Sequence, residues 1–156
     1  MITNETLVRL AEFDTPTICN VIELFDVRPR DAGFLDHRIR ALFPGLRPMV
    51  GFAATASFRS AGEPLPGDAY ADLVAQVERF EMLPGPPVVV FQDLDDPPVG
   101  ATFGEIMCSV YQAHRAVGLI TSGGGRDLEQ VERLKFPVFA GAVLCSHAYC
   151  RISHLG

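Results

Sequence analysis

The stretch from Gly104 to Asp127 constrains the fold of this chain more than any other part of it. It begins with Gly104 and Glu105, continues through a helical pattern and an apolar run, and ends on three glycines, Arg126 and Asp127. The pattern predicts that the chain leaves along a helix and returns along a strand, which would bring Glu105 near a glycine-rich turn. Two carboxylates and a guanidinium at such a turn suit a divalent cation beside an anionic substrate.

The composition indicates one compact domain of 156 residues, of which 48% are hydrophobic and 21% charged. The net charge of −6 argues against nucleic acid and acidic membrane surfaces as partners. No apolar run approaches the roughly 20 residues of a membrane helix, and the N-terminus has no signal-peptide core. We therefore expect a cytoplasmic protein.

The rest of the chain predicts helices and strands in alternation. Two N-terminal helices lie within residues 1–25, the second capped by Thr15, and the core spans residues 50–150. Residues 26–48 are irregular and could form a surface loop or an arm that reaches a neighbouring subunit. The order of the core elements is typical of α/β layering with parallel neighbouring strands. They are a strand at 50–58, a helix capped by Asp68, a strand at 88–91, a helix from 105 to 116 capped by Thr102, a strand at 117–121, a helix at 128–134, and strands at 137–139 and 142–144.

Helical spacing also predicts which side chains point inward. The predicted inward positions are Leu7, Val8, Leu10 and Ala11 in the first helix, Ile18, Val21, Ile22 and Phe25 in the second, and Leu73, Val74, Val77 and Phe80 in the third.

The acidic loop at 93–96 follows a buried strand, at the edge where α/β sheets favour ligands.

The four cysteines favour structural roles over metal binding. Cys19 and Cys108 lie in apolar helical patterns, where a thiol usually serves as a small buried hydrophobe. A cluster near the end of the chain has the spacing C-x-H-x2-C-x3-H, which matches none of the usual zinc arrangements. Buried or incidental residues are the favoured interpretation of this cluster, which comprises Cys145, His147, Cys150 and His154.

Each residue of the central stretch also has a structural interpretation. Thr102 and Glu105 have the spacing of a capping box, so Glu105 could merely satisfy a backbone amide. Asp127 could cap the helix that begins at Leu128, with Gln130 closing its own box. Glycines that lead into a helix form a generic anion site, but their spacing fits neither the dinucleotide fingerprint nor the P-loop.

The phrases G-E-x20-R-D, FPVFA, TPTICNVIE and GFAATASF resemble the RraA-like family of class II pyruvate aldolases. That family includes 4-hydroxy-4-methyl-2-oxoglutarate aldolases and the regulator-of-ribonuclease-activity proteins. The resemblance covers about residues 12–150. It implies an α/β fold of the swivelling β/β/α type over residues 1–156, with a mixed central sheet or barrel and flanking helices. It also implies a homotrimer or hexamer.

The resemblance further implies a site and an activity. Asp127 would ligate a divalent cation, Mg²⁺ or Mn²⁺, and Glu105 would hold metal-bound water. Arg126 would contact the oxo and carboxylate oxygens of the substrate, and the backbone amides of Ile106 and Met107 would receive the pyruvyl carboxylate. The implied activity is a metal-dependent carbon–carbon lyase that cleaves 4-hydroxy-2-oxo acids, decarboxylates oxaloacetate, or both. The alternative is a non-catalytic, protein-binding regulator on the same scaffold, but retention of all three charged residues favours the enzyme.

The sequence departs from the family in two places. The family usually has Asp-Gly just before its Arg-Asp turn, whereas this chain has Ser122, Gly123, Gly124 and Gly125. The family also continues past its equivalent of Gly156, and some members take an acidic site residue from a neighbouring subunit. We therefore expect a chain that lacks the C-terminal strands. The alternative is a closed domain in which residues 145–156 form a final covering segment.

Overall fold

A computed structural model describes residues 2–64, 66–67 and 69–156, apart from the side chain of Ala69. The predicted cap at Asp68 lies outside the described residues. The helices are α1 (Asn4–Leu10), α2 (Thr15–Ile22), α3 (Ala69–Glu78), α4 (Glu105–Ala113) and α5 (Leu128–Arg133), and a short 3-10 helix, Arg79–Met82, follows α3. The strands are β1 (Arg40–Ala41), β2 (Phe52–Arg59), β3 (Pro87–Asp93), β4 (Ala101–Phe103), β5 (Gly118–Gly125), β6 (Val138–Val143) and β7 (Arg151–Ser153).

The strands form one seven-stranded mixed sheet in the order β1-β6-β5-β3-β2-β7, and β4 pairs with β5 outside that path. The four central strands are parallel, because helices or long segments return the chain between them. Two short antiparallel strands lie at the ends, β1 beside β6 and β7 beside β2. The sheet and its flanking helices confirm the predicted α/β class with a mixed central sheet.

One hydrophobic core joins the sheet to α3, α4 and α5. The rings of Phe58 and Phe91 meet edge to face, with centroids 6.1 Å apart. The buried hydroxyl of Tyr111 on α4 donates a hydrogen bond to Gln76 Oε1 on α3, at 2.7 Å. This bond satisfies a polar group that burial would otherwise leave unpaired, and it fixes α4 against α3.

The N-terminal helices pack less closely than predicted. Asp14, not Thr15, caps α2, since its carboxylate accepts a hydrogen bond from the Thr17 amide at 2.9 Å. The helix ends at Ile22 and buries none of its residues, so its predicted inward face is wrong. Two other predicted inward residues, Val8 and Val74, are 66% and 54% exposed, and Cys19 is exposed as well.

Two further differences concern the strands around the site. The two strands predicted at 137–139 and 142–144 are one continuous strand, β6. The glycines predicted to form a turn are the last residues of β5 instead. None of the helices in the described part of the chain combines the length and the hydropathy that a membrane span requires.

Candidate active site

The glycines of β5 allow neighbouring strands to approach closely. None of Gly123, Gly124 and Gly125 has a positive φ, so conformational freedom is not their role. A Cβ atom at Gly125 would overlap the ring of Phe103, and one at Gly124 would lie 2.9 Å from the carbonyl oxygen of Ala142. Between Thr121 and Gly124 the register with β6 shifts by one residue, so β5 leaves β3 and pairs with β4. This shift carries the end of β5 to the start of α4.

The turn after β5 consists of Arg126 and Asp127. The Arg126 amide donates a hydrogen bond to the carbonyl oxygen of Phe103, at 3.2 Å. Asp127 has a φ of 57°, in the left-handed region that Asp and Asn tolerate better than most residues. Its carboxylate does not cap α5 but accepts a hydrogen bond from the backbone amide of Glu105, 3.2 Å from Oδ2. The carboxylate therefore faces the positive end of the α4 dipole.

Neither capping box considered for this stretch forms. Thr102 is fully buried in β4, where its hydroxyl donates a long hydrogen bond to Asp93 Oδ2 at 3.5 Å. The residue that caps α4 is Gly104, which has no side chain to contribute. The carboxylate of Glu105 turns along its own helix and accepts a hydrogen bond from Ser109 Oγ at 2.8 Å.

The structure thus brings together the three charged residues of the central stretch. The guanidinium Nε of Arg126 lies 3.7 Å from Asp127 Oδ2, and their side chains are 38% and 39% exposed. The first backbone amide of α4, that of Glu105, is bound to the Asp127 carboxylate. The chemical roles predicted for these residues stay predictions.

A small cavity of about 110 Å³ opens beside this cluster. Ile106 and Met107, whose amides were predicted to receive a carboxylate, lie on its wall, whereas Glu105 lies next to it at the start of α4. Most of the wall is apolar. Its residues are Phe58, Tyr70, Leu73, Ala101, Phe103, Gly104, Ile106, Met107, Arg126, Asp127, His147, Cys150, Arg151 and Ile152.

His147, Cys150 and Arg151 also lie at this site, which was not predicted from the sequence. They reach it because β7 pairs with β2, and no local pattern in the sequence indicates that antiparallel pairing. The Sγ atom of Cys150 lies 3.6 Å from Nε2 of His147. The described residues contain no group of three His, Cys, Asp or Glu side chains arranged to hold a metal ion.

Burial keeps the two thiols near the site in their neutral form. It raises the pKa of the fully buried Cys108 to about 12, and the nearby Glu105 and Asp127 carboxylates add to the shift. Burial also raises the pKa of Cys150, against the opposing effect of Arg151 and Arg126. Neither thiol is therefore a ready nucleophile at neutral pH.

The acidic loop after β3 has mainly structural contacts. Asp95 accepts hydrogen bonds from the backbone amides of Ser60 and Ala61, at 2.7 and 2.9 Å. Burial opposes ionisation, but these bonds and that of the Ser60 hydroxyl outweigh it and lower the pKa of Asp95. Burial raises the pKa of Asp93, whose Oδ1 accepts from the Asp95 amide at 3.0 Å.

The carboxylates of Glu105 and Asp127 fit the coordination habits of Mg²⁺. This ion is usually bound through one or two carboxylates, with water and substrate oxygens completing its shell. Asp127 uses Oδ2 for the helix amide and Glu105 uses Oε1 for Ser109, so one oxygen of each carboxylate lies outside these contacts. The partial exposure of Asp127 leaves room for the water molecules that Mg²⁺ retains.

Comparison with the models of known protein families identifies the family of this chain. The model of the RraA-like family, described as Aldolase/RraA, matches residues 15–151. The chain belongs to the RraA-like family. That family includes both aldolase or decarboxylase enzymes and ribonuclease-inhibiting regulators, and its members are typically oligomeric.

Solved structures support the RraA-like fold. A protein described among novel cellulases from microbes associated with the gut ecosystem shares 21% sequence identity with this chain, with a TM-score of 0.76. The match covers 99% of this chain and 66% of that protein. An uncharacterized protein from Pseudomonas syringae pv. tomato str. DC3000 has 20% identity and a TM-score of 0.72, over 99% and 64%. RraAS2 of Streptomyces coelicolor, an unusual member of the RNase ES inhibitor RraA family, has 17% identity and a TM-score of 0.67, over 99% and 73%.

The chain therefore spans about two thirds of the length of the first two of these proteins. At such identities the likeness shows the fold alone. A search of curated protein sequences finds no match to the chain.

Proposed function

We propose that this RraA-like chain acts as a divalent-metal-dependent carbon–carbon lyase of the class II pyruvate aldolase type. Its substrates would be 4-hydroxy-2-oxo acids, oxaloacetate, or both. The observation that supports this proposal best is the bond from the Glu105 amide to Asp127, which sets a carboxylate, the Arg126 guanidinium and a helix N-terminus around one cavity. A 2-oxo acid needs such a combination, because it presents a carboxylate beside a polarisable carbonyl group.

The residues of the cavity would divide the binding of the substrate between them. The Arg126 guanidinium would donate to the oxo oxygen and to one carboxylate oxygen. The backbone amides of Ile106 and Met107 lie in the first turn of α4, where they have no partner within the helix and the dipole favours an anion. Asp127 and Glu105 would hold Mg²⁺ or Mn²⁺, Glu105 through water.

The proposed reaction needs one group that moves a proton and several that stabilise an anion. The C4 hydroxyl loses its proton, the C3–C4 bond breaks and an aldehyde leaves, while the electron pair remains as the enolate of pyruvate. The enolate then takes a proton at C3. From oxaloacetate, CO₂ leaves and the same enolate forms. The Glu105 carboxylate would carry the proton, and Arg126 would stabilise the negative charge on the enolate oxygen. A bound divalent cation would supply Lewis-acid stabilisation of that charge.

A second candidate function is protein-binding regulation without catalysis. It is supported by the family itself, which includes ribonuclease-inhibiting regulators beside enzymes. The family likeness to an RNase ES inhibitor is compatible with it.

We also propose that the chain assembles as a homotrimer or hexamer. The segment from α2 to about residue 35 supports this proposal, since it exposes large apolar side chains that a folded monomer seldom leaves in water. These include Val21 (46%), Leu24 (81%), Phe25 (63%), Val27 (84%) and Phe34 (72%).

Pyruvate release tests the proposed activity directly. The purified chain is incubated with oxaloacetate and with a 4-hydroxy-2-oxo acid, with Mg²⁺ and with excess chelator. A blank of Mg²⁺ alone corrects for the spontaneous loss of CO₂ from oxaloacetate. The proposal predicts pyruvate release above the blank that chelation abolishes and that the Asp127→Asn substitution removes. Release that stays at the level of the blank with both substrates would instead favour the regulator.

A further inference from the structure

We propose that the site prefers 4-hydroxy-2-oxo acids that carry a small hydrocarbon group at C4 over those that carry a second carboxylate there. This inference rests on the proposed lyase function and names its substrate class. It follows from the charges and the apolar walls of the cavity beside Arg126.

The positive charge of Arg126 is already required by the pyruvyl half of the substrate. Its Nε also lies 3.7 Å from the Asp127 carboxylate. The Mg²⁺ that Asp127 and Glu105 would hold offsets the charges of those two carboxylates, so a second substrate carboxylate in the same cavity would find no further cation to offset its own charge.

Arg151 is the other cationic guanidinium on the wall, and it is committed to the fold. Its Nη1 lies 3.6 Å from Asp72 Oδ2, its Nη2 donates to the Gly67 carbonyl oxygen at 3.0 Å, and only 15% of its side chain is exposed. Asp72 Oδ2 is buried and accepts no hydrogen bond from any described residue. Drawing Arg151 toward a substrate would therefore leave a buried carboxylate oxygen without its counter-charge, which is strongly unfavourable.

Most of the remaining wall is hydrocarbon. Phe58 and Phe103 are 1% exposed and Leu73 is 6% exposed, so these side chains are fixed in the core rather than free to turn away. Ile152, half-buried on β7, continues the apolar surface. Burying a methyl group against these side chains is favourable, whereas burying a carboxylate there without a partner is not.

A competition between two substrates tests the proposal. One is 4-hydroxy-2-oxopentanoate, with a methyl group at C4, and the other is 4-hydroxy-2-oxoglutarate, with a carboxylate there. Both are assayed with Mg²⁺ at pH 8, and pyruvate is quantified by chromatography. We expect kcat/KM to be at least about 10-fold higher for the methyl substrate, the discrimination typical of an apolar pocket. An equal or higher kcat/KM for the carboxylate substrate would overturn the inference.

Placing a cation on the apolar wall should reverse the preference. Ile152→Lys supplies an ammonium group on β7, and Ile152→Met is the matched variant that stays apolar and should keep the wild-type ratio. Ile106 is 59% exposed at the start of α4, so Ile106→Lys gives a second variant in case the first does not fold. A ratio that neither folded lysine variant shifts toward the carboxylate substrate counts against the proposal.

A binding measurement separates this inference from the proposed function. If neither substrate releases pyruvate, the lyase proposal fails. The inference is then judged by thermal unfolding with Mg²⁺ and either 2-oxopentanoate or 2-oxoglutarate at equal concentration. A larger rise in Tm with 2-oxopentanoate supports an apolar substituent site. An equal or larger rise with 2-oxoglutarate refutes it.

Discussion

The Asp127 carboxylate accepts a hydrogen bond from the backbone amide of Glu105, 3.2 Å away and 22 positions earlier in the sequence. This bond ties the turn after β5 to the first residue of α4. It also holds a negative charge at the positive end of a helix, which is a favourable arrangement. The two parts of the G-E-x20-R-D motif are therefore in direct contact.

Gly104 makes this contact possible, and Gly104→Ala tests it. A Cβ atom there would lie 2.7 Å from Asp127 Oδ2 and 3.3 Å from Arg126 Cγ, so both side chains would have to move. The φ of −153° suits alanine, so the effect is steric rather than conformational. We expect an unfolding free energy lower by about 1–2 kcal/mol, from the lost hydrogen bond and dipole interaction. Metal-dependent pyruvate release should fall about 100-fold.

Gly45→Ala is the matched control for that substitution, because a Cβ atom at Gly45 meets no atom within 4 Å. Its stability should stay within about 0.5 kcal/mol of wild type in chemical unfolding. Equal losses of activity in the two variants would show that the site does not depend on the space at Gly104.

The sequence predicted the elements around the site well, because their patterns are local. A continuously apolar run indicated β3, helical spacing indicated α4 and α5, and the alternation of these elements predicted parallel strands. The 20-residue interval within the motif follows from the lengths of α4 and β5, so it also predicted that the chain returns to its starting point.

Properties that depend on distant parts of the chain were not predictable in this way. The glycines after Ser122 have the composition of a turn, but they are the last residues of strand β5. Their lack of side chains leaves the space that Phe103 and Ala142 of the neighbouring strands occupy. The apolar face of α2 has helical spacing, yet nothing within the described chain covers it. Arg151 and Ile152 of the cavity wall come from β7, whose pairing with β2 is a long-range contact without a local signature.

The pKa of Asp95 predicts how stability depends on acid pH. The side chain is only 8% exposed, and its hydrogen bonds hold the folded-state pKa below the unfolded value of about 3.9. The bonds to the charged form stabilise the fold above that pH, and this contribution is lost as the pH falls through the folded-state pKa. Asp95→Ala should therefore lower the unfolding free energy by about 2–3 kcal/mol at pH 7.

Urea unfolding at pH 7 and at pH 3 measures this effect. The difference between wild type and Asp95→Ala should shrink at the lower pH, because the unfolded chain binds a proton at Asp95 there more readily than the folded protein does. The exposed residue Asp31 provides a control, since Asp31→Ala should change stability little at either pH. A difference that stays constant with pH would indicate that packing, and not the charge of Asp95, matters.

The raised pKa of Cys108 predicts that the stability of the fold decreases at alkaline pH. Its pKa of about 12 in the folded protein exceeds the unfolded value of about 8.5. Between these two values the unfolded chain loses a proton that the folded protein keeps, so stability should fall as the pH rises above about 8.5. Cys108→Ala should weaken that fall.

In native protein at pH 8, a thiol reagent should modify the exposed Cys19 and Cys145 and reach Cys108 only after unfolding. Rapid native modification of Cys108 would contradict this assignment.

Asp127→Asn separates a catalytic role of this residue from a structural one. Asparagine also tolerates the left-handed backbone at this position, and its side-chain oxygen can still accept from the Glu105 amide. The unfolding free energy should therefore change by less than about 1 kcal/mol. The lost negative charge should weaken Mn²⁺ binding and lower kcat/KM on 2-oxo acids by at least about 100-fold.

The measurements for Asp127→Asn are urea unfolding, Mn²⁺ titration by electron paramagnetic resonance, and pyruvate release per folded molecule. Glu129→Gln is the matched control, since it removes one negative charge two residues later at a side chain that is 85% exposed. We expect this control to keep wild-type metal affinity and activity, because a charge so exposed is screened by solvent. Should Asp127→Asn unfold early yet retain both Mn²⁺ affinity and activity, Asp127 would serve only to hold α4 against the turn after β5.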